Sequence, residues 1–248
     1  MDKLSGLGAR LLIGFALSVS CGYSGSFDAV TQFSLTTNMA SNTWSYYSGS
    51  SSTDVSTFAS TVSLMPVLFD TSCGGGTSCW DSTTTTTNLI LQNVTGTDAP
   101  FPNSDALNNQ LTYYTRSGIV DVRFLAPTTG VYDLTGFFEG GANTPQSTQE
   151  FIAVDGNVGT PLFNMTGAVP FGTLNDFSFS NLSLNAGDTV DFLVAGTSTT
   201  SDLNSLSTGF DATFTEEATS GVPEPGTLFL FGSGLLGVAI ATRKRFKA

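Results

Sequence analysis

From Val120 to Phe214 the chain repeatedly places apolar residues at every second position, and this two-residue period rules out a helical body. Val120, Val122 and Phe124 share one face of an extended segment, with Asp121 and Arg123 on the other. After Ala126-Pro-Thr-Thr-Gly130 the same alternation resumes at Tyr132, Leu134 and Phe138. Phe151–Val154 runs into Asp155-Gly156, a dipeptide suited to a hairpin turn because both residues tolerate positive φ. Phe177 and Phe179 precede Leu182 and Leu184, a change of parity that predicts a β-bulge. Asn185-Ala-Gly-Asp188 turns the chain into Thr189–Val194, and Phe210, Ala212 and Phe214 mark a final strand. Short strands at this spacing, punctuated by Gly, Asn and Asp, predict an all-β body folded as an antiparallel β-sandwich or jelly roll.

Charge narrows the function classes. Only 11% of the 248 residues are charged, against about 25% in an average soluble domain. Of the eight basic residues only Arg116 and Arg123 lie between Leu11 and Thr242, a stretch holding all but one of the 20 acidic residues. Such a body repels phosphates and anionic lipid, so nucleic acid is not an expected partner. The chain has no histidine, which excludes Ser-His-Asp and Cys-His catalysis and any His-ligated zinc. Carboxylate-pair glycan hydrolysis is the enzymatic alternative, but no spacing singles out a pair. The expectation is a non-enzymatic protein with no catalytic residues and no metal ligands to assign. The acidic turns near Asp155, Asp188 and Asp191 offer oxygen ligands to a structural calcium but lack organised spacing.

Both ends carry targeting features. Lys3 and Arg10 precede the apolar run Leu11–Val19, and small residues follow at Ser20, Gly22 and Ser24. This reads as a signal peptide over residues 1–24, handled by the Sec machinery and signal peptidase. A lipoprotein site at Cys21 is the second reading, and a membrane anchor the third, since the run is short for a bilayer. Cleavage would remove Cys21 and leave Cys73 and Cys79 flanking Gly-Gly-Gly-Thr-Ser, an arrangement best read as a local disulfide in an exported chain. At the other end, residues 225–242 carry no charge, and eight Leu, Phe, Val or Ile between Leu228 and Ile240 favour membrane insertion by about 2–5 kcal/mol. One C-terminal transmembrane helix is predicted there, with Arg243, Lys244 and Arg245 on the cytoplasmic side.

Val222-Pro223-Glu224-Pro225, the apolar span and the Arg243-Lys244-Arg245 cluster together resemble the PEP-CTERM sorting signal of Gram-negative bacteria that make extracellular polysaccharide. The same segment also goes by the name of an ice-binding-protein C-terminal motif, which denotes a location and not an activity. The resemblance implies exosortase as a partner, an inner-membrane intermediate, and delivery to the cell surface or extracellular matrix. It divides the chain into a signal peptide (1–24), a body (25–215), an acidic linker (216–221) and the sorting signal (222–248).

Arg123–Gly136 and Leu184–Phe192 are similar to strand-turn-strand units of the carbohydrate-binding-like jelly rolls found in PEP-CTERM proteins, and Trp44–Gly49 is similar to their N-terminal Trp motif. The resemblance implies an exopolysaccharide ligand; a protein-interaction module in the same matrix is the alternative. Trp44, Tyr46, Tyr47 and Trp80 are the candidates for stacking on sugar rings, although aromatics of this kind more often fill a sandwich core.

Overall fold

The computed structural model describes residues 24–218, except 35, 50–64, 67, 71–77, 82–87, 94, 102–103, 116–117, 144–146 and 197–206. The expected signal peptide, except Ser24, and the C-terminal helix lie outside these residues. Among the described residues no helix is long and apolar enough to cross a membrane. Ser24–Glu217 form one compact unit.

Among the described residues sixteen strands run in chain order: β1 (Ser26–Asp28), β2 (Trp44–Gly49), β3 (Met65–Pro66), β4 (Leu68–Asp70), β5 (Ser78–Asp81), β6 (Asn88–Asn93), β7 (Ala99–Phe101), β8 (Ser104–Ala106), β9 (Gln110–Thr115), β10 (Ile119–Leu125), β11 (Gly130–Gly140), β12 (Ser147–Val154), β13 (Phe163–Ala168), β14 (Leu174–Leu184), β15 (Thr189–Gly196) and β16 (Ser207–Glu216). The first sheet has the order β14-β11-β16-β9-β6-β5-β4, with β1 also paired to β16. The second has the order β13-β12-β15-β10-β2-β3, and β7 with β8 makes a separate pair. Every pairing between these strands is antiparallel. From β9 on, successive strands mostly switch sheets, so the alternating apolar faces of both sheets meet in one core.

That core is largely aromatic. Val120, Val122 and Phe124 of β10 point inward together with Val190, Phe192 and Val194 of β15, opposite Phe210 and Phe214 of β16 and Phe138 of β11. Phe124 and Phe214 stack across the two sheets with centroids 3.8 Å apart and planes 11° from parallel. Burying rings of this size supplies roughly 25 cal/mol per Å² of apolar surface removed from water.

The turns follow local chemistry. Asp155 (φ 50°) and Gly156 (φ 67°) both adopt the left-handed region, and the Asn157 amide donates to the Val154 carbonyl at 2.9 Å. The predicted turn is therefore present, but it only begins an eight-residue connection, because β13 starts at Phe163 and pairs from Ile152. The predicted bulge also forms. Register shifts between Tyr132↔Leu182 and Leu134↔Phe179, with Asn181 at φ 60°.

Candidate functional site

Two polar features stand out, one at an end of the core and one on a sheet face. The first is built by the loop between β1 and β2. The Trp44 indole N–H donates to Gln32 Oε1 at 3.1 Å, and the Trp80 indole N–H donates to the Ser34 carbonyl at 2.9 Å. Two buried indoles thus anchor the loop through the only polar atom each possesses. Asn42 then ties the loop internally, donating to the Thr37 carbonyl at 3.0 Å, while Ser34 Oγ accepts from the Thr37 amide at 3.0 Å. Between these segments lies a cleft of about 410 Å³, lined by Gln32, Ser34, Thr37, Ser41, Asn42, Thr43 and Trp44. Its walls offer hydroxyl, amide and backbone groups and no formal charge. Such a surface can exchange hydrogen bonds with a neutral polyhydroxylated ligand.

The second feature occupies the face of the second sheet turned away from the main core. Register places Tyr47 opposite Asp121, Ser45 opposite Arg123, and Arg123 opposite Asp191. Arg123 Nε donates to Asp191 Oδ1 at 2.5 Å, lies 4.0 Å from Asp121 Oδ2, and sits over the Tyr47 ring at 5.0 Å. Both aspartates are 0% exposed, whereas the Arg123 side chain is 26% exposed. Burial pushes the Asp121 carboxyl well above the usual carboxylate range, the charge of Asp191 adds to this, and Arg123 only partly opposes it. Asp191 is raised by burial too, with Arg123 pulling the other way. Burial works against the Arg123 charge, but the two carboxylates more than offset it.

Of the two readings open to the aromatic candidates, the structure places them in the core. Trp44, Tyr46, Tyr47 and Trp80 are all buried, none more than 6% exposed, so none presents an open ring to a sugar. Trp44 packs on Phe124 (5.2 Å) and Tyr46 on Phe33 (4.9 Å), while Trp80 stacks with Tyr46. The reason is register: Trp44 and Tyr46 have the inward parity of β2, and the loop covers their edges. Tyr47 has the outward parity, yet it is buried beside Arg123. Trp44 also borders the cleft described above.

Cys79 is buried on β5, and Cys73 lies outside the described residues, as do Val222, Pro223, Glu224, Pro225, Arg243, Lys244 and Arg245. Of the acidic turn residues, Asp155 Oδ1 accepts the Thr189 amide at 2.7 Å and Asp188 Oδ2 accepts the Asn185 amide at 2.8 Å. Asp191 is instead engaged with Arg123. Among the described residues no group of three or more His, Cys, Asp or Glu gathers as a metal site. Sequence reasoning placed Asp121 and Arg123 together on one strand face but missed their convergence with Asp191, Ser45 and Tyr47. Charges set within apolar strands were the available signal; strand order was not.

Residues 221–245 match the PEP-CTERM protein-sorting motif. No curated protein matches the chain in sequence. Among solved structures, the body is similar to TmCBM61 in complex with β-1,4-galactotriose (12% identity, 46% of this chain and 76% of that one, TM-score 0.30). It is also similar to the CBM36-1 domain of a multidomain xylanase from the hindgut metagenome of Trinervitermes trinervoides (12% identity, 53% and 98%, TM-score 0.29). A third likeness is to the arabinose-bound α-L-arabinofuranosidase MgGH51 (14% identity, 52% of this chain but 22% of that enzyme, TM-score 0.31). Likenesses of this size assign neither a ligand nor a reaction.

Proposed function

We propose that the protein is exported, held briefly in the inner membrane of a Gram-negative bacterium by its C-terminal segment, processed by exosortase, and delivered to the cell surface or matrix. There its body, read as a jelly-roll sandwich without enzymatic activity, binds or packs with exopolysaccharide. The sorting motif at 221–245 carries the first half of this reading. Replacing Pro223, Glu224 and Pro225 with Ala leaves the apolar span intact, so insertion should persist while full-length protein accumulates in the membrane fraction. Normal processing of that variant would sink the exosortase assignment. Mass spectrometry of the processed wild-type protein should find Cys73 linked to Cys79 and Cys21 absent; a diacylglyceryl Cys21 would instead establish the lipoprotein route.

The second half rests on the uncharged cleft beside Trp44. Neutral hydroxyls and amides in a strongly acidic body suit sugar hydroxyls, whose recognition depends little on salt. Binding of the producing cell's own polysaccharide should be weak, with a Kd of about micromolar to millimolar, or about −8 to −4 kcal/mol. Ser41 is exposed at the cleft, so Ser41→Trp should obstruct it without touching the core. The expected result is at least a roughly tenfold loss of affinity, about 1.4 kcal/mol, at an unchanged Tm. Unaltered binding would move the ligand elsewhere, and release of shortened glycan in the same mixture would favour a hydrolase.

A further inference from the structure

The charged cluster on the outer face of the second sheet does not balance if all its groups are ionised. Two carboxylates and one guanidinium are held together, and both carboxylates are cut off from water. Asp121 faces the Asp191 carboxyl and the Phe192 backbone amide, but neither of its oxygens completes a well-formed hydrogen bond, and neither does Asp191 Oδ2. Asp191 keeps its bond to Arg123 through Oδ1, so Asp121 is the poorer-served member, with a guanidinium no nearer than 4.0 Å. A buried carboxylate served this poorly costs several kcal/mol in desolvation. Two acceptors that cannot bond to each other as anions become donor and acceptor when one proton is added.

We propose that Asp121 and Asp191 form a proton-sharing carboxyl pair, with the proton resident on Asp121, and that this pair makes the outer face of the second sheet responsive to pH. The surroundings contain little else to neutralise it. β2 contributes Tyr47 and the unpartnered Ser45 hydroxyl, β10 contributes Arg123, and β12 contributes Phe151 and Ala153. The turn after β12 adds the negative charge of Asp155, and from the core side the Tyr113 phenol of β9 donates to the Phe192 carbonyl. With the proton in place the cluster is neutral. The raised Asp121 carboxyl agrees with this arrangement.

The direction of the pH effect follows from proton counting. A carboxyl that binds its proton more tightly when folded holds more protons in the folded state than in the unfolded one, between the two pKa values. Stability therefore falls as pH rises through that window, from about 4 upward. The test uses the full chain with carboxyl-13C aspartate and infrared spectroscopy at pH 7. A protonated aspartyl carbonyl stretch should be present, retained in Asp211→Asn (Asp211 on β16 is the other aspartate that burial raises, to about 6), and absent in Asp121→Asn. If wild type and Asp211→Asn lack the stretch, the pair is fully ionised and the proposal fails, whether or not Asp121→Asn folds. Thermal melts supply a second readout. Asp121→Asn places an amide donor where the proton sits, so its Tm should match wild type at pH 5 and exceed it by about 2–4 °C at pH 8. Asp191→Asn removes the close partner of Arg123 and should melt lower at every pH. Equal pH slopes for wild type and Asp121→Asn would overturn the assignment of the proton.

Discussion

Phe124→Ala should destabilise the body by about 3–5 kcal/mol, the range for emptying a large aromatic site in a packed core. Phe124 is fully buried and stacks on Phe214 of the opposite sheet at 3.8 Å. Its ring also contacts Trp44 at 5.2 Å and Phe27 at 5.7 Å. The substitution therefore removes the ring that joins β10, β16, β2 and β1, and rigid neighbours on both sheets limit collapse into the space. For a body of this length the loss corresponds to a fall in Tm on the order of 10 °C. Equilibrium denaturation with urea measures it directly, with Phe179→Ala, at a half-buried position on the edge strand β14, as the milder comparison. A loss below about 1 kcal/mol would mean that the two sheets are not held together at this stack.

Glu150→Gln should stabilise the protein, and only above mildly acidic pH. Glu150 lies on β12, 1% exposed, with Oε2 accepting from Asn175 Nδ2 at 2.7 Å and Oε1 unpartnered. Burial lifts its pKa from 4.5 to about 7, against the opposing pull of the Asn175 bond. The folded state holds this proton more tightly than the unfolded state, so wild-type stability declines as pH rises from about 4.5 towards 7 and then levels off. A rise of this size corresponds to at most about 3 kcal/mol. Glutamine keeps an acceptor for Asn175 and carries no charge. Its advantage over wild type should be near zero at pH 4 and largest at pH 8. A variant less stable than wild type at pH 8 would show that the Glu150 charge is compensated after all.

The second half of the body, from β10 on, could largely be read from residue order alone because its strands obey a two-residue period. Val120, Val122 and Phe124 face inward as their alternation requires, and the Phe179/Leu182 parity break became the bulge at Asn181. What could not be read was which strands lie side by side. Asp121 and Asp191 are 70 positions apart, and they meet only because β10 pairs with β15. The cleft was hidden for a different reason. Its walls are Ser, Thr, Asn and Gln in an irregular loop, a composition that looks the same whether the loop is solvated or folded over two indoles. Tyr47 misled in its own way, since outward parity on a sheet face does not guarantee exposure when a guanidinium lies across the ring.

The pairing of β1 with β16 bears on how the body would carry a mechanical load. Ser26 lies opposite Thr215 and Asp28 opposite Thr213, and the Glu216 amide donates to the Gly25 carbonyl at 2.8 Å. The chain leaves this ladder past Glu216 at one end and past Asp28, towards the cleft loop, at the other. Tension between a surface attachment beyond Glu216 and a polymer gripped at residues 32–44 would pull the two strands lengthwise in opposite directions. The rungs of the ladder would then be strained together and not peeled one after another, and β16 is further clamped along its other side by β11 from Tyr132 to Gly140. Under the proposed attachment and ligand, a body built this way would resist drag best along the line joining the two.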